Sequence, residues 1–191
     1  MRATLASRQA LGLMKATRDL FMLLAVLLCL ISGVQALEAW DDRETARQTA
    51  AAVDDNAIGL EERREALKKL EEAVRLFLSV GETEEAARVL NRVGRLQLIL
   101  NAPQDALASH HRALTLLKQT PAPAAATEVD SLNGQGAAYL FLQDKDRAEA
   151  VLRRALTLSE QARYTPGQAQ ALLTLSAVSY THLTLPTTPY V

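Results

Sequence analysis

Two stretches, Arg112-Ala-Leu-Thr-Leu-Leu-Lys-Gln119 and Arg154-Ala-Leu-Thr-Leu-Ser-Glu-Gln161, share six residues of eight at a separation of 42 positions. The same shift pairs Gly94 with Gly136, Ala106 with Ala148 and Ala113 with Ala155. One register that links a glycine to several alanines over this length marks an internal repeat. A fixed period of roughly 20–50 residues is the signature of stacked supersecondary units, each unable to bury its apolar face alone.

Working outward, each unit reads as two helices. Ala87 to Leu100 places Leu90, Val93, Leu96 and Leu100 on a 3.6-residue stripe, with Gln97 as a polar exception. Asn101-Ala102-Pro103 breaks it, with proline near the next helix start, where its missing N–H costs little. Gln104 to Lys118 then carries Ala106, Leu107, His110, Ala113, Leu114 and Leu117. The second unit repeats this over Val129 to Leu142 and Lys145 to Gln161. Asp144 is placed to cap the latter helix, and Thr127 with Asp130 forms a capping box for the former. Thr120 to Thr127, with Pro121 and Pro123, reads as a linker. Upstream, Ala66 and Ala73 repeat the seven-residue alanine spacing in a degenerate unit whose first helix runs from about Asp41 to Ala57. Gly81 reads as a helix stop and Thr83 as the next N-cap. The expected organisation is a leader over 1–36, a degenerate helix pair over 37–86, and repeats over 87–128 and 129–163. The first helix of a further unit follows over 164–177, then an unstructured tail over 178–191.

These residues resemble the tetratricopeptide repeat family, whose unit is a helix pair. Its first helix carries Leu or Trp, Leu, Gly and Tyr, and its second carries Ala, an aromatic and Ala. Leu90, Val93, Gly94, Ala106, His110 and Ala113 fall on that spacing, with Gln97 departing at the Tyr position and His110 at the aromatic one. Leu132, Gly136, Tyr139, Ala148, Leu152 and Ala155 follow it again, with Gln135 departing. The resemblance covers roughly residues 60–177. It implies an all-α, right-handed α-solenoid of about three helix-turn-helix units. The long spacing resembles bacterial arrays that precede a caspase-like peptidase domain.

The N-terminus reads as an address. Arg2, Arg8, Lys15 and Arg18 precede the uncharged run Leu20 to Ile31, and Val34 and Ala36 sit at the two small positions before a cut after Ala36. Basic leader, short apolar run and small-residue exit are the three parts of a secretory signal peptide. The alternative is an uncleaved inner-membrane anchor over 20–36, for which the run is short against about 20 residues. Cys29, the single cysteine, lies inside the run after Leu27 and Leu28, which does not suit lipidation. Cleavage removes four basic residues and Asp19, moving the formal charge from −1 to −4. A periplasmic or secreted protein with no affinity for nucleic acid is expected, since nucleic-acid binders show a basic surplus.

The C-terminal end differs in kind. No charged residue occurs from Tyr164 to Val191. Gly167 to Ala177 still has helical spacing, whereas Val178 to Val191 is Thr-, Pro- and Tyr-rich and resembles a translated sequencing adapter. On this reading the natural chain continues past about residue 177.

No catalytic, cofactor or metal constellation assembles. His110 and His111 are adjacent, so they diverge by about 100° on a helix and do not share one metal. Glu61-Glu62, Glu71-Glu72 and Glu84-Glu85 alternate with Arg63-Arg64 and Lys68-Lys69, the pattern of a solvated helix face. Gly134-Gln-Gly136 has no preceding strand, so it is no phosphate loop. What remains is surface. The resemblance places Asn91, Arg92, Arg95, Leu98 and Ile99 of one unit in a concave groove, with Asp130, Asn133, Ala137, Leu140 and Phe141 of the next. The implied function is a non-catalytic protein-interaction scaffold of the bacterial envelope or exterior, binding a protein or peptide partner without a cofactor. The alternative is the recruitment arm of a truncated peptidase.

Overall fold

The computed structural model describes residues 27–28, 30–54 and 59–183, and the chain divides into two compact units, 1–41 and 42–191. The regular secondary structure of the described residues is helical in both, with no strand among them. The basic leader, most of the apolar run, Cys29 and residues 184–191 lie outside the described residues. In the first unit, 27–28 and 30–41 are helical and Leu30, Ile31, Val34, Leu37 and Trp40 are exposed. No helix of the described residues is long and apolar enough to cross a membrane.

The second unit runs through α1 (42–51), α2 (Leu60–Ser79), α3 (Thr83–Ile99), α4 (Pro103–Gln119), α5 (Ala125–Phe141), α6 (Lys145–Gln161) and α7 (Thr165–Leu183). The 42-residue repeat is carried into three dimensions: α3 and α5, and likewise α4 and α6, start and end one period apart. From α2 onward each helix packs on its neighbours in sequence, and α5 additionally touches α3 and α7. Ala66, Ala73, Ala106, Ala113, Ala148 and Ala155 are all buried, so the recurring alanines stand where helices approach most closely. A continuous core joins α1 to α4 through Leu70, Phe77, Leu90 and Val93. Leu132, Ala155 and Ala171, with Ala148, Leu152 and Val178, extend the packing through α5, α6 and α7.

Turn chemistry explains the tight corners. Gly81, Asn101, Gln143 and Arg163 have φ of 76°, 60°, 62° and 53°. After each, an N–H reaches back five residues: Glu82 to Phe77, Ala102 to Gln97, Asp144 to Tyr139 and Tyr164 to Ser159, at 2.8–2.9 Å. This is the Schellman closure, in which a left-handed residue satisfies the last carbonyls of a helix. Asp144 caps α6 as expected, its carboxylate accepting from Arg147 N–H at 3.2 Å.

Several boundaries differ from the sequence reading. α3 begins at Thr83, four residues early, and Thr83 is not a side-chain cap: its hydroxyl pairs with that of Thr120 at 2.9 Å. α5 begins at Ala125 without a side-chain cap, so Thr127 and Asp130 form no capping box. Beyond Pro123 the alanines, the best helix formers, start the helix at once. α1 ends at residue 51, not 57; the part of that expectation over 55–58 lies outside the described residues. The expected break at Val178 is absent, since α7 continues to Leu183. Gly167, Ala171, Thr174 and Val178 form one buried stripe, and Val178, 1% exposed, packs among Ala148, Leu152, Tyr139 and Leu140. Apolar burial there outweighs the poor helix propensity of the segment.

Candidate functional site

The residues expected in the groove separate into two sets. Asn91 is buried and structural. Its Nδ2 donates to the Thr127 carbonyl at 3.1 Å, and its Oδ1 accepts from Ser131 Oγ at 2.9 Å. The same Oδ1 meets His110 Nδ1 at 3.0 Å. Because the Thr127 carbonyl only accepts, the amide orientation of Asn91 is determined, and with it the imidazole tautomer: Nδ1 carries the proton. Arg92 is also structural, its guanidinium donating to the carbonyls of Ala50 at 2.8 Å and Val53 at 3.3 Å, where it closes the end of α1. Leu140 packs inward against Ala148, Leu152 and Val178. These three are thereby corrected as groove residues.

The other set meets in one cavity of about 530 Å³. Arg95, Leu98 and Ile99 line it from α3, and Asp130, Asn133, Gly134, Ala137 and Phe141 line it from α5. Spacing of three and four residues puts the α5 set on one helix face. Tyr164, Pro166 and Gln170 close the third side, and the sequence reading missed them. Their signal was the α7 helix itself, since Gln170 stands 40 residues after Asp130 as Thr165 stands 40 after Ala125.

The cavity is graded along its length. At one end Asp130 and Tyr164 share a side-chain hydrogen bond. Burial pushes the Asp130 carboxyl above its ordinary range, opposed by that bond and by the nearby Arg95 guanidinium. Burial and the Asp130 charge raise the Tyr164 hydroxyl in turn, so it keeps its proton and donates. At the other end Ile99 and Phe141, one repeat apart, are 52% and 55% exposed. Between them Asn133 Nδ2 donates to the Gly167 carbonyl at 2.9 Å, while its buried Oδ1 receives no hydrogen bond.

Behind this floor sits His110, 1% exposed, on α4. A Cβ placed on either Gly94 of α3 or Gly134 of α5 would fall on its imidazole. Leu152 occupies the equivalent place one repeat on, over Gly136. Burial, aided by Arg95, pushes the His110 pKa down to about 4. His111 is exposed on the same helix, so the two histidines do not converge. The acidic pairs behave as a solvated face: Glu61 pairs with Arg64 at 2.6 Å, and Glu84 with Arg88 at 2.7 Å. Among the described residues no group of three His, Cys, Asp or Glu side chains is arranged to hold a metal. Compared with known proteins, the chain matches no family model and no curated sequence.

Proposed function

We propose that the chain is a tetratricopeptide-like, right-handed α-solenoid that binds a partner peptide or protein, without catalysis, in the cavity between α3, α5 and α7. The observation that carries this reading is the pair Ile99 and Phe141, large, exposed and one repeat apart, beside the Arg95, Asp130 and Tyr164 polar end. Surfaces that combine exposed aromatic and aliphatic anchors with a few fixed polar groups suit peptide capture. Repeat-to-repeat contacts of α3, α5 and α7 support the solenoid assignment. Residues 1–36 act as a signal peptide cut after Ala36, delivering the protein to the periplasm or exterior. N-terminal sequencing of the envelope or culture fraction tests this: a start at Leu37 is expected, and a retained leader would show an anchor instead.

Binding is tested with a photo-crosslinking amino acid placed in the full chain at Phe141 or, as control, at exposed Arg153 of α6. Discrete adducts in envelope extracts from Phe141 and none from Arg153 are the expected result. Equal labelling from both positions would refute the groove as the binding face.

A further inference from the structure

The α5 side of the cavity presents the Asp130 carboxylate and, one turn on, the buried Asn133 amide. Asn133 is 4% exposed, its N–H is committed to the Gly167 carbonyl, and its Oδ1 has no donor. Asp130, one turn earlier on the same helix, receives the Tyr164 hydroxyl. An ionised carboxylate has room for about four hydrogen bonds, so one phenol leaves most of that capacity open. A partly desolvated carboxylate with open hydrogen-bonding capacity, in a cavity otherwise largely apolar, calls for a ligand that brings N–H groups. Farther along the same face the character changes to Ala137 and Phe141, with Ile99 opposite. Eleven residues of helix separate Asp130 from Phe141, about 16 Å at 1.5 Å per residue. An extended chain covers that span in about five residues.

Resting on the peptide-binding reading above, we propose that the cavity selects an extended basic–apolar segment. A lysine or arginine side chain lies against Asp130. A large apolar side chain four or five residues away packs on Ile99 and Phe141. A segment presenting carboxylates at that end is disfavoured, because it sets like charge against Asp130. Arg95, exposed on α3, lies near Asp130, and the preference rests on the hydrogen-bonding capacity that Asp130 keeps open.

The test pans a random heptapeptide phage library against the immobilised full chain, then measures synthetic copies of enriched peptides by fluorescence anisotropy. Enriched sequences are expected to carry Lys or Arg four or five positions from Phe, Leu, Ile or Trp. Asp130→Asn is expected to weaken them about tenfold, the usual cost of losing a hydrogen bond to a charged group. Replacing the peptide's basic residue by methionine should weaken binding to the parent protein equally, a readout that needs no protein variant. Peptides that lack a basic residue, bind undiminished to Asp130→Asn and are lost with Phe141→Ala would overturn the basic preference while leaving peptide binding intact. Enrichment of acidic peptides dependent on Arg95 would overturn it as well. No enrichment over bare support would refute this inference and the peptide-binding reading together.

Discussion

The seam around His110 and the seam around Leu152 are one construction filled in two ways. Each places a side chain of the second helix against a glycine of the first, 42 residues apart in sequence. In the earlier seam the filler is an imidazole held by Asn91, which also gathers Ser131 and the Thr127 carbonyl. In the later one the filler is aliphatic and packs on Ala148 and Val178. The aligned asparagine, Asn133, keeps its bond to the next helix but has lost the other partners, since Leu152 replaces His110 and Leu173 replaces Ser131. Helix stacking needs volume at this point; the imidazole supplies it with Nδ1 bonded to Asn91 while Nε2 is buried without a hydrogen-bond partner.

The comparison can be broken at several depths. The largest effect belongs to the apolar seam: Leu152→Ala is expected to cost about 2–5 kcal/mol by cavity formation, read as a loss of chemical-denaturation midpoint that is the same at pH 5 and pH 7. The polar seam instead couples to pH. The folded His110 pKa of about 4 lies below the unfolded 6.5, so the unfolded chain binds the extra proton between these values. Its contribution, about 3 kcal/mol, is present above pH 6.5, declines as pH falls and is gone near pH 4. Denaturation curves across that window should show the slope, and His110→Leu should flatten it. An unchanged slope would show that other groups carry the acid sensitivity.

Gly134→Ala comes next. Its methyl meets the imidazole, and overpacking of this kind costs about 1–3 kcal/mol. In a His110→Ala background the same change should become neutral or gain up to about 1 kcal/mol from helix propensity. A penalty that persists there would mean the glycine serves something other than the histidine. The smallest effect lies at the corners: Gln143→Gly and Arg163→Gly relieve left-handed backbone at non-glycine residues and should each raise stability by about 0.5–1 kcal/mol in thermal melts.

Much of the helix pairing was legible because small residues recur at one period, and Ala106, Ala113, Ala148, Ala155, Gly94 and Gly136 all prove to be contact points. Corners were less legible. Gly81 announces a left-handed turn and Asn101 is suited to one, whereas Gln143 and Arg163 adopt the same geometry without that signal. The end of α7 was misread since local composition at Val178 argues for strand or coil, and only the buried stripe it completes keeps it helical. Groove membership was half legible. Position on α3 identified Arg95, Leu98 and Ile99, but it could not distinguish them from Asn91 and Arg92, whose hydrogen bonds are fixed by partners 36 to 42 residues distant.

The asparagine bonds have a mechanical corollary. Asn91 to the Thr127 carbonyl and Asn133 to the Gly167 carbonyl both fasten the opening turns of α5 and α7 to the preceding repeat. Ile99 and Phe141 sit at the far tips of α3 and α5. Each bond thus ties the middle of one helix to the opening turn of the next, about 12 Å of helix short of the apolar tip.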